Sequence, residues 1–440
     1  MIVASVIAGA FLLFVGSGGA SAATGCNLVV NSENLAGNAV QSAINSANPG
    51  WKICLGAGSF PEQLTISTPN LKLVGAGTSK TFIDPTSVVA DTVDWDSAPS
   101  YTAAAPILLV DNTTGVTVQG LTVNGAPAAS SITGCGEDFL GVDVQNSSGT
   151  SLVSAKVTGI ELSPSLLGCQ NQLAVYAYTG YYATGYVAPV TVSFTHVTVT
   201  AYGKNGITCD DPGLTCTLAS DTVTGIGPTS ATATNGIQVA YGAVGVLSHD
   251  SVKDNAYTGP TSTLDWYGNG YQGAGILFYL AGAGTSVSSS TVGANAMGIT
   301  VLGAAPVQIV GNTVSGSTGY GIVVNGAAGS QALIANNTVS EAGVGGVGIL
   351  VDNGTFNVSG NTVSHSSSSG TNGASQVVCG TGSYLSCSPT QNISTAAIQA
   401  VSENGTGSTT VVLFGNVFKF DTLSVASLAV RGGSVNLQFA

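Results

Sequence analysis

Charge is what this chain has least of. Only 7% of its 440 residues are Asp, Glu, Lys or Arg, against the usual quarter. Lys and Arg together number 8, against 21 acids, and the formal net charge is −13. So few cations leave no basic stripe, which excludes a nucleic acid as partner. A polyanion would likewise meet a repulsive surface unless a cation bridged it. The single arginine, Arg431, lies near the C-terminal end. After the first 22 residues no apolar run approaches the ~18 needed for a spanning helix. No Cys-x-x-Cys spacing occurs, which removes the common structural zinc sites.

What fills the chain instead is Gly (61 residues) with Ser, Thr, Ala, Val and Asn, and an apolar fraction of 44%. That is too apolar for a disordered segment. Residues Ile2 to Val15 form an apolar run followed by Ala20-Ser21-Ala22. This pattern reads as a secretory signal over 1–22, with a mature chain of 23–440. Eight cysteines and an export signal together predict four disulfides. Chain neighbours form natural pairs: Cys26–Cys54, Cys135–Cys169, Cys209–Cys216 and Cys379–Cys387.

The fold is announced by repetition. Asn312-Thr313-Val314-Ser315 returns at Asn337 and again at Asn361, in steps of 25 and 24 residues. Between these lie Gly298-Ile299, Gly321-Ile322 and Gly348-Ile349. A fixed period of this size, built from β-branched runs and turn residues, predicts stacked coils. Inward Val, Ile and Leu alternate with outward residues, and Gly turns the corners. Asn at one corner is positioned to stack on Asn of the next. A propeller blade would need ~40 residues and four strands.

Ala39, Val40, Ala43, Ile44 and Ala47 have helical spacing and stop at Asn48-Pro49-Gly50. A helix over about 35–50 would cover the open end of the first coil. Departures from the rhythm predict long loops at about 84–106, 163–189, 257–273 and 370–390.

The run Ala39-Val40-Gln41-Ser42-Ala43-Ile44, then Pro49-Gly50, Gly58-Ser59-Phe60-Pro61-Glu62, Leu64-Thr65-Ile66 and Leu73-Val74-Gly75 resembles the N-terminal cap of pectin lyase-like proteins. The Asn-Thr-Val and Gly-Ile phrases are similar to their parallel β-helix repeat. The resemblance covers nearly the whole mature chain. It implies an all-β, right-handed parallel β-helix solenoid with an N-terminal capping helix, in one domain. It does not select an activity, because the fold hosts lyases, hydrolases, esterases, epimerases, adhesins and structural proteins.

Asp210 and Asp211 are the candidate catalytic pair, because glycoside hydrolysis uses two carboxylates. Gly206-Ile207-Thr208-Cys209-Asp210-Asp211 looks like the aspartate pair of polygalacturonases, but the histidine, arginine and lysine that follow it there are missing here. The alternative is a Cys209–Cys216 loop closed by an Asp-Pro-Gly turn. Lys204 is the nearest base in sequence. Asp91, Asp94 and Asp96 place three acids in six residues, and calcium is the cation such oxygens would take. Tyr176, Tyr178, Tyr181, Tyr182 and Tyr186, with Trp266, Tyr267 and Tyr271, offer flat faces of the kind that bind sugar rings. These features lead to the expectation of a secreted or cell-surface protein that binds, or cleaves as a lyase or glycoside hydrolase, an extracellular polysaccharide along one face. The alternative is a non-catalytic adhesive or envelope protein.

Overall fold

In the computed structural model the described residues are 25–32, 39–94, 102–181, 188–259, 273–325, 331–341, 347–365, 375–379, 387–392, 398–401, 408–420 and 434–439. The expected signal segment, 1–22, lies outside them. Three sheets run the length of the stack, one 14-stranded and two 12-stranded, parallel except for one edge strand of the third. Sheet 1 begins with Leu28–Val30 and Lys52–Leu55, sheet 2 with Gly58–Phe60 and Thr81–Ile83, and sheet 3 with Leu64–Ile66 and Thr102–Asp111. Successive strands visit sheets 1, 2 and 3 in turn, so each turn of chain lies on the one before it. The crossovers have the right hand that parallel strands require.

The interior is a set of stacked columns. Sheet 3 aligns Val142, Val175, Ile207, Ile237, Ile276, Ile299, Ile322 and Ile349 in register. These side chains are fully buried in one continuous core. Each contributes about 1.5–3 kcal/mol of apolar burial. The glycines before Ile207, Ile237, Ile276 and Ile299 are required by close approach. A side chain at Gly298 would run into the Gly321 carbonyl and the Val314 methyls.

The corner from sheet 1 to sheet 2 explains the Asn phrase. His196, Ser220, His249, Ser289, Gly311, Asn336 and Gly360 take positive φ there, from 52° to 69°. The next residue points inward and serves as a rung. Asn312 N–H donates to Asn337 Oδ1 (2.9 Å), Asn337 N–H to Asn361 Oδ1 (2.9 Å) and Asn361 N–H to Asn416 Oδ1 (3.0 Å). Each amide nitrogen also donates back to a carbonyl, as Asn337 Nδ2 does to Ile309 O at 2.9 Å. The expected amide stacking is present, and it satisfies backbone groups that the corner would otherwise bury unpaired.

The helix Ala39–Ser46 buries Val40 and Ile44 on the first coil. Glu62, carried on the chain after sheet 2, accepts from the N–H groups of Val40 and Gln41, both at 2.9 Å. The acid thus caps the helix start from a distant part of the chain.

Two expected loops contain strands. Within 84–106, Thr92–Asp94 pairs antiparallel with the start of Thr102–Asp111. Within 163–189, Gln172–Tyr178 is a complete strand of sheet 3. Its alternation of Leu173, Val175 and Ala177 was hidden by the tyrosines between them. Ser375–Cys379 and Cys387–Asn392 form an antiparallel hairpin with Cys379 opposite Cys387. Three of the four expected disulfides are present: Cys26–Cys54, Cys135–Cys169 and Cys209–Cys216. The side chains of Cys379 and Cys387 lie outside the described residues.

Replacing Asn337 with Ala removes the acceptor of the buried Asn312 N–H. The expected cost is about 2–4 kcal/mol, as for a buried group left unpaired together with its lost partners. Replacing its partly exposed neighbour Ser340 with Ala should change stability by about 0.5 kcal/mol or less. Denaturant unfolding of both variants checks the contrast, and equal midpoints would contradict the ladder account.

Candidate functional site

Strand alternation sends every second residue of sheet 3 out of the core. One outward row reads Leu109, Asp143, Tyr176, Thr208, Gln238, Leu277, Thr300, Val323 and Leu350. A second row carries Asp111, Gln145 and Tyr178. The first row is polar from Asp143 to Gln238 and mostly apolar beyond, while the second row is polar again at Asn325 and Asp352. Met297, Tyr320, Val323 and Leu350 form an apolar cluster separate from the main core.

Asp143 is the most unusual residue of this face. It is 0% exposed, and neither carboxyl oxygen has a hydrogen-bond partner. Burial raises its pKa well above the ordinary range, and the nearby charges of Asp91, Asp111 and Asp138 add to the effect. Such surroundings favour the neutral acid over the carboxylate, which is what a proton donor requires. Asp91 belongs to the same group. Lost hydration pushes it up to about 6, against the lowering effect of its own hydrogen bonds. The hairpin that carries it is tied to sheet 3 by Thr92 Oγ1 donating to Gln145 Oε1 at 2.9 Å.

Of the acids expected to hold calcium, only the Asp91 side chain is among the described residues. Asp91 sits with Asp111, Asp138 and Asp143, while the side chain of Asp94 and all of Asp96 lie outside the described residues. Among the described residues no three Asp, Glu, His or Cys side chains are close enough to hold a metal ion together.

The two acids at 210 and 211 have different fates. The chain leaves sheet 3 at Cys209, and the Cys209–Cys216 bridge closes a short loop. Asp211, at φ 86°, turns its carboxylate onto the neighbouring coil. Asp211 Oδ2 accepts from Thr179 N–H (3.2 Å), Thr179 Oγ1 (3.2 Å), Gly180 N–H (2.9 Å) and Tyr181 N–H (3.1 Å). Burial raises its pKa, and these bonds oppose the shift. Asp211 holds together the Thr179–Tyr181 turn of the neighbouring coil, a role distinct from a local Asp-Pro-Gly turn within its own loop. Asp210 directly follows the strand residue paired with Ala177, and its own N–H donates to the Ala177 carbonyl at 2.9 Å. It is 2% exposed. It continues the row of Gln145 and Tyr178.

Amides fill the middle of the face. Asn205 Nδ2 donates to Thr208 Oγ1 at 3.1 Å and to Gln238 Oε1 at 3.2 Å, and Asn235 Nδ2 donates to Asn205 Oδ1 at 3.2 Å. Lys204 lies at the start of this strand, its Nζ donating to the Ala233 carbonyl at 2.8 Å. Burial lowers its pKa to about 8.

The aromatic expectation needs correcting at two positions. Tyr176 and Tyr178 are fully buried and stack on each other with ring centroids 4.6 Å apart. They pack with Ala104, Leu140 and Leu173. Their rings fill the space over sheet 3 instead of facing solvent, because both project from the same side of one strand. Tyr181 is partly exposed. Tyr182, Tyr186, Trp266, Tyr267 and Tyr271 lie outside the described residues. An exposed pair occurs elsewhere. Tyr241 (37% exposed) and Tyr279 (36%) meet edge to face at 5.3 Å, beside the exposed Leu280. Both lie at the C-terminal ends of sheet 3 strands. The sequence signal for Asp143 was an acid inside the alternating run Gly141-Val142-Asp143-Val144-Gln145.

Residues 190–394 match the family described as right handed beta helix region. No curated protein sequence matches the chain. Among solved structures the chain is similar to the A-module of the Azotobacter vinelandii mannuronan C-5 epimerase AlgE4, at 14% identity and TM-score 0.51, over 89% of this chain and 95% of that one. It is also similar to the DFA-IIIase of Arthrobacter chlorophenolicus A6, at 13% identity and TM-score 0.52, over 92% of this chain and 98% of that one. The Dettilon tailspike protein gp208 matches at 13% identity and TM-score 0.50, over 94% of this chain and 68% of that one. At such identities these likenesses establish the architecture. The chain folds as a right-handed parallel β-helix. No helix among the described residues is long and apolar enough to cross a membrane.

Replacing Asp211 with Ala removes four hydrogen bonds to one buried carboxylate. The expected loss is about 3 kcal/mol of stability, the scale of breaking a buried charged network. Thermal unfolding checks this, and an unchanged midpoint would return Asp211 to the list of free carboxylates.

Proposed function

We propose that this protein binds an extracellular polysaccharide along the outer face of sheet 3 and processes it there by acid–base chemistry. The observation that carries the reading is Asp143, a buried carboxyl without a hydrogen-bond partner, on the same face as Asp210 and an amide network. Asp143 is the proton donor, because its surroundings favour the neutral acid. Asp210 is the second carboxylate, two strands further along the stack. The amides of Asn205, Asn235 and Gln238 are suited to sugar hydroxyls, and the Tyr241–Tyr279 pair offers an aromatic edge for a sugar ring. The disulfides suit an oxidising, extracytoplasmic setting. The epimerase named above for mannuronan supports a polysaccharide as the substrate class.

A second reading is favoured by one observation. Asp143 and Asp210 are 0% and 2% exposed, so a ligand reaches them only if their cover opens. A protein that binds glycan without changing it would keep both acids sealed.

A panel of plant, algal and microbial polysaccharides, followed for new reducing ends, unsaturated products and column retention, separates the two. Processing is expected on at least one glycan. Asp143→Asn should then lower the rate by about 10²–10⁴-fold, the range for removing a general acid, with retention unchanged. Because a general acid must be protonated, activity should decline as pH rises through the elevated Asp143 pKa. Retention with no product from any glycan would favour the binding protein. Tyr279→Ala should weaken retention in either case.

A further inference from the structure

The corner ladder changes chemistry halfway along the stack. From Asn416 back to Asn312 every rung is an amide, and Ser290 follows. The next two rungs are aspartates. Asp250 N–H donates to Ser290 Oγ at 3.1 Å, Asp221 N–H to Asp250 Oδ1 at 2.9 Å, and Val197 N–H to Asp221 Oδ1 at 2.7 Å. Both carboxyls are 1% exposed. One oxygen of each does what an Asn oxygen does at the other rungs.

The second oxygen does not: in Asp221 it accepts from Ala219 N–H at 3.2 Å, and in Asp250 it has no partner. At amide rungs Nδ2 donates to the carbonyl three residues before the previous rung: Asn312 to Val287, Asn337 to Ile309, Asn361 to Ile334 and Asn416 to Val358. The equivalent carbonyl for Asp250 is Leu218. Asp250 Oδ2 is buried with no hydrogen-bond partner. The backbone N–H of Ser248 is the donor near this carboxyl, and the Leu218 carbonyl accepts from Ser248 Oγ at 3.5 Å, so an ionised Oδ2 makes no hydrogen bond of its own. A protonated one regains the donor that Asn supplies.

We propose that Asp221 and Asp250 form a proton-dependent joint in the stack, whose ladder is complete only while the pair retains a proton. The groups facing the pair are few. Above lies Ser290, below lies Val197, and the interior side is apolar. His196 and His249 occupy the exposed corner positions just before Val197 and Asp250. On the following strand Lys253 pairs with Asp254 at 3.4 Å, and this is the one salt bridge among the described residues. Asp210 and Asp211 are the other buried acids of these coils, and Asp211 is held by Thr179–Tyr181. No described cation is therefore paired with either rung.

Burial pushes Asp221 up to about 7, with the Asp250 charge adding to it. Burial likewise takes Asp250 to about 6. Folded pKa values above the unfolded value mean that the folded protein holds more protons. The stability from the joint is complete below the unfolded value of ~3.9 and declines as pH rises through about 6–7. The joint sits in the coils that feed Asn205–Cys209, Asn235–Ala240 and Ala274–Tyr279 into sheet 3. Loosening it would act first on the coils that carry Asp210 and the amide network.

Thermal unfolding of the full chain between pH 4.5 and 7.5 tests the joint. The wild type should lose melting temperature as pH rises, with Asp91, Asp143 and Asp211 contributing part of the slope. Asp250→Asn should reduce that slope and raise the melting temperature at pH 7.5, because it restores the amide rung. A His196→Gln/His249→Gln variant should keep the wild-type slope. If Asp250→Asn fails to fold, a ¹³C-carboxyl titration of Asp221 and Asp250 in the wild type gives the answer, with midpoints near 6–7 expected. A slope unchanged in Asp250→Asn, a slope lost in the histidine variant, or carboxyl midpoints below 5 would overturn the proposal.

Discussion

Each coil of this protein is completed by the coil next to it. Parallel strands donate and accept only between coils, so no turn of the helix satisfies its own backbone. The corner ladder extends the same dependence to side chains: a buried N–H of one coil is received by the Asn, Ser or Asp of the next. A buried amide without a partner costs about 1–3 kcal/mol, so the identity of a rung is nearly as constrained as the isoleucine columns. Charge is scarce for the same reason. A stack whose interior is columns and whose corners are short leaves few positions where an ionised group is solvated.

Chemistry is confined to what the stack does not use. Inward positions are fixed by packing and corners by positive φ or by the ladder. The outward rows of sheet 3 are free to vary, and the row of Asp143 changes from carboxyl and amide to mostly apolar along the length. Asp143 illustrates how such a surface differs from an ordinary one. The hairpin of Asp91 and the stacked tyrosines remove water from it, and the removal of water raises its pKa. The same cause acts at Asp221 and Asp250, where the ladder supplies the geometry. Low charge density and elevated carboxyl pKa values are two consequences of one architecture.

Much of the fold was legible because stacking writes itself as period. Gly298-Ile299 and its repeats became the core column of sheet 3, and Asn312, Asn337 and Asn361 became the ladder. The cap was legible in the spacing of Val40 and Ile44. Glu62 as its distant cap was not, because that contact depends on the first coil closing. The strand Gln172–Tyr178 was obscured by its tyrosines, whose burial depends on what lies over sheet 3. Asp211 had the composition of a catalytic acid, and only its contacts with Thr179–Tyr181 reveal a structural task. Asp143 and the Asp250 rung were missed for a common reason. A single acid in a strand or corner looks like solvated surface until the neighbouring coil is in place.

The central claim is that sheet 3 presents the glycan-binding face. Hydrogen exchange of the full chain, with and without whichever polysaccharide a column retains, tests it most directly. The account predicts added protection in Glu137–Gln145, Gln172–Tyr178, Asn205–Cys209 and Asn235–Ala240, with sheets 1 and 2 unchanged away from those strands. Protection confined to sheet 1 or sheet 2, with sheet 3 unaffected, would contradict it.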